Sequence, residues 1–152
     1  IALLQKYVRQ PLVANQVQFS IPVSNLVANG MEVNMETPGS VDHDGSLLDY
    51  CRLHDITLQA WSPFQMPSWK GCFLGSDEYP ELNQKIRVLA EKYGVSDTTI
   101  AAAWILRHPA NIQLVTGTAS EKRLKEIIAA CNITLTREEW YELYLAAGHP
   151  LP

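Results

Sequence analysis

Cysteine is scarce in this 152-residue chain: Cys51, Cys72 and Cys131 are odd in number and far apart. That argues against a disulfide framework and against a paired-cysteine zinc site, and it makes a reducing, cytoplasmic setting the better expectation. The four histidines, His43, His54, His108 and His149, never recur at three- or four-residue spacing, so no zinc motif forms. A calcium loop starting at Asp42-His43-Asp44-Gly45 would need a glutamate where Leu53 stands, and these residues read instead as a polar turn. Positive charge is thin. Net charge is −4 and no Lys/Arg run exceeds two, which leaves no surface for tracking nucleic-acid phosphates. No apolar run approaches the roughly 20 residues that cross a bilayer, and no secretory leader pattern opens the chain. Gly-x-Ser-x-Gly and Gly-x-Gly-x-x-Gly are both missing, which removes the short signatures of serine hydrolases and Rossmann dinucleotide sites.

What is present is a 47% hydrophobic, 18% charged sequence, enough to bury a core as one domain spanning residues 1–152. It opens at Ile1, without Met, inside a helical pattern of Leu3, Leu4 and Tyr7 that Pro11 stops, so it reads as cut from something longer. Residues 12–21 form a strand ended by Pro22. Residues 24–45 carry the breaker pairs Asn29-Gly30, Pro38-Gly39 and Asp44-Gly45, which rule out a long regular element there. Ser46 caps a helix through Leu47, Leu48, Cys51 and Leu53, and residues 56–61 make a buried strand closed by Ser62-Pro63. Pro80 opens a helix that Gly94 ends. Ser96 caps the next, with Asp97 at its positive end and Arg107 and His108 at its negative end before Pro109. A third strand covers 112–116, a helix 121–130 follows with Asn132 at its C-cap, and the capping box at Thr136 and Glu139 starts the last helix, with Trp140, Leu143 and Tyr144 inward and Gly148 as its stop.

Strands separated by helices imply a parallel sheet with right-handed crossovers. A sheet of three such strands, none polar enough on one face for an open edge, would expose apolar surface and unpaired edges. The expected consequence is association with a missing part of the fold or self-association of the fragment.

Residues 112–128 carry the densest chemical signal. An apolar strand breaks at Gly117, passes through Thr118 and Ser120, and feeds a helix whose first turns hold Lys122, Arg123 and Lys125. Free N–H groups and the positive helix end at such a junction suit a phosphate. On this stretch alone an ordinary strand-to-helix turn with solvated lysines is favoured. Trp61, at the C-terminal end of its strand before Ser62-Pro63, stands where a parallel barrel displays ligand-facing side chains. Gln16, a polar residue within the first strand, needs a partner if buried. A flat aromatic beside a carboxamide suits a planar, amide-bearing ring. Trp104 and Trp140, on apolar helix faces, read as core.

Asn15-Gln16-Val17, Ala60-Trp61-Ser62-Pro63, the Ala-Trp-Ile-Leu-Arg run at 103–107 and Gly117-Thr118 with Arg123-Leu124 occur in this order and at compatible spacing. The series resembles the C-terminal half of aldo-keto reductases, in the bacterial branch described as general oxidoreductases, over essentially the whole chain. The resemblance implies an α/β fold, a partial (β/α)8 TIM barrel containing strands six to eight with their helices and a C-terminal helix. It implies that Gln16 holds the nicotinamide carboxamide and Trp61 stacks on the ring. Ser62, with the backbone near Phe64, would contact the pyrophosphate, and Gly117, Thr118 and Arg123 would receive the adenosine phosphate, with Glu126 near the adenine. The family's catalytic Asp, Tyr, Lys and His belong to the preceding half, so no catalytic residue and no metal ligand is expected here.

Many relatives have Tyr at Trp61, Lys at Gly117 and Asn at Ile127. The last two departures weaken the expected grip on a 2′-phosphate, so NADP is favoured over NAD only moderately. The implied function is NADP-dependent reduction of a small-molecule carbonyl by hydride transfer, by an enzyme of which this chain is the cofactor-binding portion, the fragment alone being inactive. A cofactor-binding regulatory or structural subunit without turnover, or a self-contained α/β binding module, are readings of other classes.

Overall fold

Three short strands lie side by side and parallel in the order β1 (Ala14–Gln18), β2 (Thr57–Trp61), β3 (Gln113–Leu114). The computed structural model describes residues 1–32 and 46–151. Along β2 burial alternates: Leu58 and Ala60 are buried, while Thr57, Gln59 and Trp61 are half-exposed on the opposite face. Helices therefore cover one face of the sheet. Helix-backed parallel strands with an open second face are the local pattern of a (β/α) barrel, and the chain is a part of one.

The covering layer is built from α4 (Pro80–Tyr93), α5 (Asp97–Leu106), α6 (Glu121–Ala129) and α7 (Arg137–Ala146). Their ends follow the expected punctuation. Pro80 occupies the first turn of α4, and Gly94 closes it at φ 66°, a conformation that suits glycine because it has no Cβ. The Ser96 side chain accepts from Thr99 N at 3.2 Å, and Ser120 does the same for Arg123 N at 3.5 Å. The capping box of α7 is complete: Thr136 Oγ1 accepts from Glu139 N at 3.2 Å and Glu139 Oε2 from Thr136 N at 2.7 Å.

Glu139 does more than cap. It is nearly buried, and burial pushes its carboxyl up, but Lys92 Nζ at 2.6 Å, the Thr136 N–H and the Tyr93 hydroxyl at 2.7 Å together hold it below the usual carboxylate range. This cluster binds the end of α4 to the start of α7. Helix α5 is buried over most of its surface, from Thr99 through Ile105, and its Trp104 lies stacked on Trp140 of α7 at 4.6 Å with an 8° interplanar angle. Phe19, just past β1, touches the same indole at 5.3 Å.

Several expectations needed correction. Helix α1 spans only Ala2–Gln5, with Leu3 and Tyr7 exposed. An isolated turn with nothing to pack against cannot offset its nucleation cost, and Gln5 ends it by bonding Val8 O, Gln10 O and Leu12 N. Asn29-Gly30 lies inside α2 (Asn25–Glu32) and does not mark a loop. Burial of Val27 and Ala28, whose N–H groups both reach Ser24 O, outweighs the glycine penalty of about 1 kcal/mol. The pairs Pro38-Gly39 and Asp44-Gly45, and the Asp42-His43 turn, fall outside the described residues. Helix α3 is Ser46–Leu53, and it buries Cys51 but leaves Leu53 exposed. All three strands are shorter than the apolar runs that announced them, and α6 yields to a 3-10 turn at Ala130–Asn132 before Asn132 could cap it. Gln16, Gln59 and Gln113 come into register on one face of the sheet, which makes that face more polar than the separate strands suggest. The three cysteines are free, Cys51 buried and the others exposed.

His108 differs from its expected role as well. Burial, with Arg52 adding to it, pushes its pKa down to about 4, and its Nδ1 accepts from Ala110 N at 3.2 Å, so the ring is neutral at pH 7 and leaves the helix end to Arg107. The unfolded ring, near 6.5, binds a proton the folded one refuses. This contribution is complete above pH 6.5 and is lost as the pH falls toward about 4. We expect denaturant titrations to show stability falling across that window, and His108→Asn, which keeps an acceptor for Ala110 N, to flatten the dependence. An unchanged slope in the variant would contradict it.

Candidate functional site

Two strand-to-helix junctions meet at one end of the sheet. After β2 the chain turns sharply at Ser62, which adopts φ 51°, and Gln65 N closes the turn on Ser62 O at 3.1 Å. It then doubles back. Gln65 and Cys72 form an antiparallel bridge, Met66 N reaches Gly71 O at 2.8 Å, and Phe73 N reaches Phe64 O at 3.0 Å. Ser20 Oγ, following β1, donates to Gln65 O at 3.0 Å and ties this excursion to the first strand. Its far end is organised by Asn83, a buried amide on α4. Asn83 Oδ1 accepts from Gly75 N at 2.7 Å, while Nδ2 donates to Phe73 O and Tyr79 O, both at 2.9 Å. Sequence reasoning passed over Asn83. The available signal was a carboxamide set beside Leu82 within an otherwise apolar stripe.

The second junction follows β3. Val115 N continues the pairing to Ala60 O at 2.9 Å, and a relay of hydroxyls shapes the descent into α6. Thr116 Oγ1 accepts from Thr118 N at 3.5 Å, Thr118 Oγ1 from Ser120 N at 3.2 Å, and Ser120 Oγ from Arg123 N. Among the described residues, the N–H groups of Gly117 and Ala119 have no hydrogen-bond partner. Gly117 does not need to be glycine on conformational grounds: its φ is not positive, and a Cβ built there would meet nothing within 4 Å.

Between the junctions lies a cleft of about 550 Å³. It brings together Ser62, Phe64, Gly117, Thr118 and Arg123, five of the eight residues singled out in the sequence. Ile127, singled out as a departure from relatives, lines it too, and Leu74 and Thr98 line it without having been anticipated. Arg123 is the only charged side chain among the described lining residues, and no described carboxylate pairs with it. Its helical neighbours are elsewhere: Lys125 pairs with Glu121 at 2.7 Å on the exposed face, and Lys122 is exposed outside the cleft. The cleft is thus a mildly apolar trough with one cation and the unpaired N–H of Gly117 in its lining, suited to an anion. Its described lining holds no carboxylate, histidine, lysine or tyrosine. No group of His, Cys, Asp and Glu that could hold a metal occurs among the described residues.

Three of the eight lie elsewhere. Gln16 and Trp61 belong to the open face of the sheet, Gln16 exposed and directly opposite Gln59, Trp61 half-buried and opposite Gln18. They adjoin the cleft through the Trp61-Ser62 bond. Glu126 is half-buried outside it, and its backbone carbonyl accepts from Thr99 Oγ1 at 2.8 Å, which fastens α6 to α5. A separate cleft of about 250 Å³ next to Arg107, His108 and Trp140 contains none of the eight.

A sequence profile described as the Aldo/keto reductase family matches residues 4–144. The 6-dehydroglucose reductase of Agrobacterium fabrum (strain C58) is 30% identical over 146 residues, covering 96% of this chain and 42% of that protein. Among solved structures, the thermostable aldo-keto reductase Tm1743 in complex with the inhibitor epalrestat superposes with TM-score 0.65 at 21% identity, over 95% of this chain and 43% of that one. The aldo-keto reductase from Klebsiella pneumoniae in complex with NADPH gives TM-score 0.61 at 20% identity, over 92% and 40%. The chain therefore spans less than half the length of each.

The left-handed conformation of Ser62 costs about 1 kcal/mol in a residue with a Cβ, and more when the side chain is β-branched. Thermal or denaturant unfolding should find Ser62→Gly at least as stable as the parent and Ser62→Val destabilised by more than about 1 kcal/mol. A harmless Ser62→Val would mean that the turn is not held as described.

Proposed function

The chain belongs to the aldo/keto reductase family, and we propose that it is the cofactor-binding portion of an NADP-dependent reductase of small-molecule carbonyls. The observation that carries this reading is the convergence of Ser62, Phe64, Gly117, Thr118 and Arg123 on one cleft contributed entirely by this chain. When bound, the nicotinamide nucleotide supplies a hydride to the carbonyl carbon.

The residues present fit such a nucleotide in parts. The turn at Ser62 and Phe64 line the trough and suit a pyrophosphate. Arg123 and the unpaired N–H of Gly117 suit the adenosine phosphate, and the apolar side chains of Leu74 and Ile127 suit a flat heterocycle. Trp61, next to Ser62 in the chain and on the open sheet face, would supply a platform for the nicotinamide, and Gln16 a carboxamide partner. Glu126 lies outside the cleft, so contact with the adenine would require its side chain to reach around α6. NADPH accompanies several of the structurally similar proteins, which supports NADP over NAD. With one cation in the cleft, selectivity for the 2′-phosphate falls to Arg123.

Two outcomes test the reading. Arg123→Ala should weaken NADPH binding by about 1–3 kcal/mol, the range for hydrogen bonds to a charged group, and change NADH binding much less. Calorimetric titration with both nucleotides discriminates, since equal losses would refute the 2′-phosphate assignment. The described cleft lining holds no carboxyl, histidine, lysine or tyrosine to protonate a carbonyl oxygen, so the 152-residue polypeptide should bind NADPH without oxidising it in the presence of a generic aldehyde. Turnover by the purified chain would overturn that expectation.

A further inference from the structure

The open face of the sheet carries an unusual row. Gln16, Gln59 and Gln113 occupy one register line across all three strands, Gln16 opposite Gln59 and Gln59 opposite Gln113. Their side chains are bonded to one another in one direction: Gln16 Nε2 donates to Gln59 Oε1 at 3.0 Å, and Gln59 Nε2 donates to Gln113 Oε1 at 3.1 Å. We propose that Gln59, held by Gln113, is a positioning residue that fixes which way the Gln16 carboxamide points and so sets the orientation in which a nicotinamide amide can dock. The inference rests on the cofactor reading above, and it assigns Gln59 and Gln113 a role that reading does not contain.

A glutamine side chain is nearly symmetric in shape and antisymmetric in chemistry. Rotating its terminal amide by half a turn exchanges acceptor and donor at the same points in space. An isolated, exposed Gln16 would sample both states and present a ligand with the wrong one part of the time. The ladder narrows that freedom, because Gln16 can turn over only if Gln59 and Gln113 turn with it. Gln16 Nε2 is committed to Gln59, while Gln16 Oε1 has no hydrogen-bond partner among the described residues, so the group offered outward is an acceptor with one N–H beside it. A ligand carboxamide that meets that acceptor does so with its NH₂ toward Oε1.

Two features argue against a purely structural row. Sheet packing on the covered face is apolar, through Leu58 and Ala60, and needs no amides. The row also lies on the same face as Trp61, two residues beyond Gln59 along β2, so an aromatic platform and an oriented carboxamide share one surface. Each bond in the row also polarises the next, because a donated N–H makes its own carbonyl a better acceptor.

The test compares two nucleotides on the full chain by calorimetry: NADPH, and 2′-phospho-ADP-ribose, which lacks the nicotinamide. Wild type should bind NADPH the more tightly. Gln59→Leu leaves Gln16 unanchored and should weaken NADPH about fivefold, the equivalent of one net hydrogen bond, while 2′-phospho-ADP-ribose stays within about twofold. Gln59→Glu keeps an acceptor for Gln16 Nε2 and should restore NADPH to within about twofold of wild type. The second nucleotide doubles as a folding control. NADPH affinity unchanged by Gln59→Leu, equal losses for both nucleotides, or failure of Gln59→Glu to rescue would overturn the role of the ladder and leave the cofactor cleft standing. Wild type binding neither nucleotide would overturn the cofactor reading, and this inference with it.

Discussion

The molecule turns on a reciprocal clasp between two buried indoles. Trp104 Nε1 donates to Trp140 O at 3.0 Å, and Trp140 Nε1 donates to Trp104 O at the same distance, while the rings stack between them. A buried indole N–H without an acceptor would cost about 1–3 kcal/mol, so each indole is held in the core by the backbone carbonyl of the other residue's position, which ties the two helices together. Trp104 O lies in the last turn of α5, where carbonyls run out of intrahelical partners, and the clasp satisfies one of them. Helix α5 is thereby fixed to α7, and everything that packs on α5 inherits that position: Phe19 at the end of β1, the strand β3, and α6 with its Thr99 tether.

From this anchor the route to the cleft is short. Helix α6 is carried by α5, so Arg123 is placed by the tryptophans without touching them. Helix α4 is tied to α7 by the Glu139 cluster and holds the opposite wall through Asn83. Both sides of the trough are thus referred to one helical layer, and the segments that follow β2 and β3 line the space between them. The arrangement divides labour in the manner of barrels generally, where packing at one level leaves the strand ends free to vary.

The helical part of this layout was legible because its punctuation is chemical. Ser96, Ser120, the Thr136–Glu139 pair, Pro80 and Gly94 each satisfy a backbone group locally, and local bonds can be read from neighbours in the chain. Elements settled by tertiary burial read less well. The Asn29-Gly30 pair looks like a turn until Val27 and Ala28 are seen to be buried, and His108 looks cationic until the core closes around it. The site divides in the same way. Ser62, Gly117, Thr118 and Arg123 sit at breaks between a strand and a helix, where sequence is informative. Asn83 acts on a loop up to ten residues away, and the glutamine row exists only once three strands separated by some forty to fifty residues come into register. A period-two pattern reveals that a side chain faces outward, but it does not say which neighbour it will meet.

The empty space at Gly117 has a consequence for how such a protein could change over time. At most turn glycines a side chain must be accommodated by bending the backbone, so a gain in function has to be weighed against a loss in stability. Here the main chain has no positive φ to penalise a side chain, and no heavy atom lies within 4 Å of where a Cβ would stand. The position is mutationally unencumbered. A second cation could be added beside Arg123, or removed again, by a single codon step or two, and the preference between phosphorylated and unphosphorylated nucleotides could drift independently of the fold that presents them.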